Sequence, residues 1–266
     1  MTARGARLDR ERYELVFAED FTDPDLRADR WVPHYLPHWT TPERSAARYD
    51  TGSGVLRLRV DADQPAWRTQ DGEMRVSNLQ TGVACGPVGS PLGQHRHRPD
   101  LAVVTAVPTR RLFTPTAGLV EAELRAPTDP TCMLALWLVG LEADGPELSG
   151  ELCVAELYGS AVGPARSAVR MGVKAHGDPR LHDDMTDEVL DLDASQWHRY
   201  GVAWSADGAD FLVDDRVVRS VGQRLDYELT VMVDLFEFPL GPDRPASAYP
   251  KTAEVRDVRG WRRAGA

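Results

Sequence analysis

What limits this chain most is a run of short apolar or alternating segments, separated by Gly, Pro and Asp. They fall at residues 13–17, 55–60, 101–107, 118–126, 133–140, 151–158, 168–173, 197–204, 210–213, 216–221, 229–238 and 252–261. Many short strands at near-regular spacing predict an all-β sandwich or jelly roll. In 118–126, Val120, Ala122, Leu124 and Ala126 share one face while Glu121, Glu123 and Arg125 share the other, the pattern of one buried and one wet face. Asp207-Gly208 and Asp214-Asp215 are hairpin signals and tie three consecutive strands into a meander. Only residues 186–192 have helical character. They lie within an acidic stretch, 182–193, which lacks EF-hand spacing and reads as a solvated loop.

A chain of 266 residues that is 42% hydrophobic suits one domain with a substantial core, here 1–266 with its core at about 13–262. A net charge of -10 argues against a nucleic-acid binder, whose footprint is usually basic; a neutral polysaccharide is compatible. No run is long and apolar enough for a membrane helix. The basic N-terminus lacks the apolar stretch of a signal peptide. Read as written, the chain is cytoplasmic, or secreted if a leader precedes it. Cys85, Cys132 and Cys153 are odd in number and widely spaced, so free thiols are expected, with no disulfide framework and no zinc site. Serine-hydrolase and nucleotide-binding motifs are absent.

Residues 150–159, Gly-Glu-Leu-Cys-Val-Ala-Glu-Leu-Tyr-Gly, place two acids in an apolar strand. Strict alternation puts Glu151 and Cys153 on one face and Glu156 on the other. One extra residue after Cys153, in a β-bulge, turns Glu156 back onto their face. Two carboxyls about 5 to 5.5 Å apart are what a retaining glycosidase needs, one as nucleophile and one as acid, then base. An edge strand whose acids face solvent fits the same pattern.

Five stretches, taken in order, resemble glycoside hydrolase family 16, the laminarinase and lichenase group. They are 14–21, which resembles the opening strand, 118–125, the Trp-bearing 134–140, 151–156 and 197–215. The segment 151–156 resembles the family's Glu-x-Asp-x-x-Glu signature. The resemblance implies a concanavalin-like jelly roll of two antiparallel sheets with a concave cleft, and a retaining endo-hydrolase of β-glucans with β-1,3 or mixed β-1,3/1,4 bonds. Glu151 would be the nucleophile and Glu156 the acid and base. It implies a polysaccharide or oligosaccharide partner, no nucleic acid, no membrane and a monomeric chain.

The signature's middle Asp, which would help set the protonation of the pair, is Cys153 here. A thiol with an ordinary pKa of about 8.5 is neutral and a weak donor. A non-catalytic carbohydrate-binding jelly roll and a transglycosylase are therefore the competing readings. Trp137 matches the family's sugar-stacking Trp and Lys174 stands where the family often has a His; His176 is an alternative. Tyr158 should share the face of Glu156. Gln94 and His95, in Gly93-Gln-His-Arg-His97, offer donors suited to sugar hydroxyls. His-x-His alone is a weak metal signal, and no metal or cofactor is expected. Arg256 stands where the family often has a calcium-binding Asp, which predicts no calcium there.

Overall fold

The computed structural model describes residues 2–238 and 245–265. Sixteen strands form it, in chain order β1 (Tyr13–Glu19), β2 (Arg48–Asp50), β3 (Leu56–Val60), β4 (Arg75–Gln80), β5 (Gly82–Val83) and β6 (Arg110–Arg111). Then come β7 (Gly118–Arg125), β8 (Cys132–Gly140), β9 (Glu151–Tyr158), β10 (Ser167–Lys174) and β11 (Asp184–Leu190). The last five are β12 (His198–Ser205), β13 (Gly208–Val213), β14 (Arg216–Val221), β15 (Leu229–Glu237) and β16 (Lys251–Arg263).

One sheet runs β14-β13-β12-β7-β16-β3-β2, with β1 also on β16; the other runs β11-β10-β9-β8-β15-β4. Neighbouring strands are antiparallel, and the two sheets make the sandwich that the spacing of runs implied. Between them lies the main core, with Leu134, Leu136 and Leu138 of β8 facing Val120, Ala122 and Leu124 of β7 and Val255 and Val258 of β16. Each such side chain removed from water contributes roughly 1.5–3 kcal/mol.

The other face of the second sheet is also covered. Met133, Ala135, Trp137 and Val139 of β8 and Met232 and Phe236 of β15 pack beneath Tyr35, Leu36, Trp39, Trp67, Leu101 and Val103 from the connecting segments. This is why 132–140 reads as unbroken apolar sequence: both its faces are buried.

Both hairpin signals are real. Val213 pairs Arg216 across Asp214 and Asp215, whose φ values are +48° and +66°, and Ser205 pairs Gly208. Three expectations fail. Residues 101–107 form no strand, because their amides are taken by loops: Val103 donates to the Ser90 carbonyl and Val104 to that of His38. The stretch 182–193, read as helix and solvated loop, contains strand β11, paired along β10. Its acids are neutralised from other elements, with Asp187 on Arg170 and Glu188 on Arg4 and Arg219. Nor is the outer face of β7 simply wet, since Arg199 donates to both oxygens of Asp257 at 2.8 and 3.1 Å and to Glu121 at 3.1 Å. Arg10 closes on Glu121 from the other side at 2.6 Å, and Arg256 pairs with Glu123.

Candidate active site

Strand β9 carries the bulge. Leu136 and Trp137 are consecutive on β8 but face Ala155 and Cys153, which leaves Val154 as the extra residue; on β10, Arg170 and Gly172 face Glu156 and Cys153. Val154 and Ala155 both point into the main core. Glu151, Cys153 and Glu156 therefore emerge on one face, with an oxygen of each acid and the Cys153 sulfur within 4.8 Å of one another. Both acids are buried.

Lys174, at the end of β10, lies between them. Its ammonium donates to Glu156 Oε1 at 2.6 Å and to Glu151 Oε1 at 3.3 Å and sits 5.2 Å from the centroid of the Trp137 ring. Burial would lower its pKa, but Glu151 and Glu156 raise it, so the ammonium stays charged. Burial alone would raise the Glu151 carboxyl; the Lys174 charge and the hydrogen bond from His176 Nε2 at 2.7 Å outweigh it and hold that carboxyl well below the usual range. Cys153 is pushed up by burial and by Glu151. It is a thiol, donating to Glu151 Oε1 at 2.7 Å. The acid pair thus has a thiol donor and a bridging ammonium around it.

Of the residues singled out from sequence, His95, Trp137, Glu151, Cys153, Glu156, Lys174 and His176 converge. His95 Nδ1 lies 3.9 Å from Glu151 Oε2, and its ring meets that of His176 edge-on at 4.5 Å. Burial, then His176, lowers the His95 pKa to about 3, so the imidazole is neutral. Tyr158 is half-buried against the same apolar cluster as Cys153 and Trp137. Gln94 is fully buried, and its side-chain amide lacks a hydrogen-bond partner among the described residues. Residue His97 instead bonds Asp71.

Sequence reasoning missed Asp234. It is fully buried on β15, facing Asn78 of β4 and Ala135 of β8, which in turn faces Glu156. Neither of its carboxyl oxygens has a partner among the described residues, and burial together with the Glu151 charge raises its pKa far above the carboxylate range. It is a neutral acid. The signal was the one that exposed Glu151, an acid inside an apolar run, Thr-Val-Met-Val-Asp-Leu-Phe. Glu142, just beyond β8, was also missed; it accepts the His95 backbone amide at 2.5 Å, and burial pushes its pKa up to about 8.

Residues 111–240 match the family model of Glycosyl hydrolases family 16, which bears out the resemblance carried by the motifs. By structure the chain is similar to the GlcNAcα1-4Gal-releasing endo-β-galactosidase from Clostridium perfringens, with a TM-score of 0.80 at 21% identity over 96% of this chain. It spans 64% of that protein's length. A laminarinase from Flavobacterium sp. UMI-01 gives a TM-score of 0.63 at 16% identity, covering 94% of this chain and 100% of that one. SCLam, a non-specific endo-β-1,3(4)-glucanase from family GH16, gives 0.67 at 18% identity, covering 98% and 96%. At these identities the likeness is one of fold. No curated protein sequence matches the chain.

Proposed function

We propose that this chain, whose residues 111–240 carry the family 16 glycoside hydrolase pattern, is a retaining endo-acting hydrolase of β-glucans with β-1,3 or mixed β-1,3/1,4 bonds. The observation that carries this reading is the buried acid pair on one bulged strand, with oxygens no more than 4.8 Å apart. That spacing is near the roughly 5–5.5 Å of retaining sites and short of the roughly 6.5–9.5 Å that leaves room for a water between the acids.

In this mechanism Glu151 attacks the anomeric carbon as the glycosidic C–O bond breaks, and Glu156 gives its proton to the leaving oxygen. Water then gives a proton to Glu156 and its oxygen to the anomeric carbon, releasing Glu151. Lys174 occupies the space beside Trp137 where a sugar ring would rest. Substrate displaces the ammonium from between the two carboxyls, which leaves them side by side as like charges that disfavour each other. Asp234 and Asn78, along the same row of the sheet, receive ring hydroxyls. The binding partner is accordingly a polysaccharide or a long oligosaccharide.

A second reading has a specific observation in its favour. One of the structural neighbours is an endo-β-galactosidase, which makes an internal β-galactosyl bond the second candidate for the one cut. Incubation with laminarin, lichenan and a glycan containing internal β-galactosyl bonds, followed by assay of new reducing ends, separates the two. Products of retained configuration from one substrate, abolished in Glu151→Gln, are expected. Longer oligosaccharides would indicate a transglycosylase. Binding without products across all three would overturn catalysis in favour of a carbohydrate-binding jelly roll.

A further inference from the structure

Two histidines from distant loops aim at one oxygen of Glu151. His176 Nε2 is 2.7 Å from Oε2 and His95 Nδ1 is 3.9 Å from it, and the three ligand atoms lie within 4.8 Å of one another. His95 Nδ1 is buried and has no hydrogen-bond partner among the described residues, and 3.9 Å is too long for a hydrogen bond. Both histidines hold left-handed backbone conformations, φ +55° and +49°. Residues other than glycine adopt that region at a cost of order 1 kcal/mol or more, and do so where the surroundings over-determine them.

We infer that His95, His176 and Glu151 form a binding site for a divalent transition-metal ion of the zinc type, and that its occupancy blocks Glu151. Two imidazoles and one carboxylate suit such an ion, while calcium and magnesium take oxygen ligands. Zinc bonds of about 2.0–2.2 Å in tetrahedral geometry place neighbouring ligand atoms about 3.3 Å apart. The two measured spacings bracket that value, so small side-chain rotations complete the site. Lys174 does not occupy it, because the ammonium lies on Oε1 and both imidazoles face Oε2. The surrounding charge admits a cation: Glu151, Glu156 and Asp187 outnumber Lys174 and Arg170, which pair with them.

Binding depends only on these three side chains; the block on turnover rests on the proposed role of Glu151. The full chain, stripped with a chelator, is titrated with zinc chloride by calorimetry and by competition against a chromogenic chelator. One ion per chain is expected, undiminished by excess magnesium. His95→Gln, His176→Gln and the near-isosteric Glu151→Gln should each weaken it by roughly tenfold or more, about 1.4 kcal/mol, with thermal melting as the check on folding. Absence of zinc binding, or wild-type affinity in folded variants, overturns the site. If zinc binds and the glycans remain uncut without it, the glycosidase reading fails while the site stands. If the glycans are cut equally with zinc bound, the block is overturned.

Discussion

An ammonium lodged between two carboxylates changes what each of them does. In the family's signature a third carboxylate would stand at position 153; here that position is a thiol that donates to Glu151, and a positive charge arrives from another strand, at Lys174. The neutral thiol was readable from sequence, but the charge was not, because its role depends on β10 pairing Lys174 directly opposite Glu151. Lys174→Met tests the balance. Glu151 has a folded pKa below its ordinary value, so its pairing stabilises the fold above the ordinary carboxylate pKa and that stability is lost as pH falls. Removing the cation should therefore destabilise the protein by roughly 3 kcal/mol at pH 7, within the range found when a buried pair loses one partner, and by less at pH 4, where that stability has begun to be lost. Denaturant unfolding at the two pH values measures it. Equal loss at both would show that the cation does not hold Glu151 ionised.

At the scale of the element, β9 and β10 act as one device. The bulge at Val154 needs a partner strand that follows its twist, and Gly172, opposite Cys153, supplies it with φ +144°. A Cβ there would stand 2.0 Å from the Asp184 carbonyl oxygen of β11. Gly172→Ala should cost roughly 1–3 kcal/mol as a strained backbone position, and β11, at the sheet edge, should show faster amide exchange before the rest of the sheet; uniform exchange would refute the coupling. Periodicity exposed most of the large strands because each has at least one face against a core. It concealed β4, whose Arg-Val-Ser-Asn-Leu-Gln has only Val76 and Leu79 as apolar side chains, and it concealed β11, whose acids are paid for by arginines far away in sequence. Residues 101–107 failed in the opposite direction. Their apolar side chains cover the second sheet, as Leu101 and Val103 do, without needing a strand to do so.

For the whole molecule, buried acids of two kinds set the pH range over which the sandwich is stable. Glu151 is held ionised; Asp234 and Glu142 are held neutral, the latter to about pH 8. Because the folded pKa of Glu142 lies above its ordinary value, the stability it contributes is present below that ordinary value and is lost as pH rises toward 8. Melting temperature should peak near mildly acid pH and fall on both sides. Glu142→Gln should remove part of the alkaline fall, about 1–2 kcal/mol after allowance for its partial exposure, and identical pH curves for the two proteins would contradict this. The fold class and the acid pair were legible because both are written in local pattern. His95, His176 and Lys174 were singled out by motif, but that they meet with Asp234 around the acid pair emerges only once the sheets close, since the contacts that define the site join residues tens to more than a hundred positions apart.

Lysine's scarcity has a chemical consequence. Basic residues number 31, yet the only lysines are Lys174 and Lys251, and Lys251 is buried on Asp129 and Glu237 with its side chain 7% exposed, against 28% for Lys174. Every other basic side chain is a guanidinium, which does not react as a primary amine. An amine-directed acylating label thus meets, apart from the chain terminus, only two side-chain amines, both held as ammonium ions by carboxylates, and the more exposed of them lies between the two acids of the site.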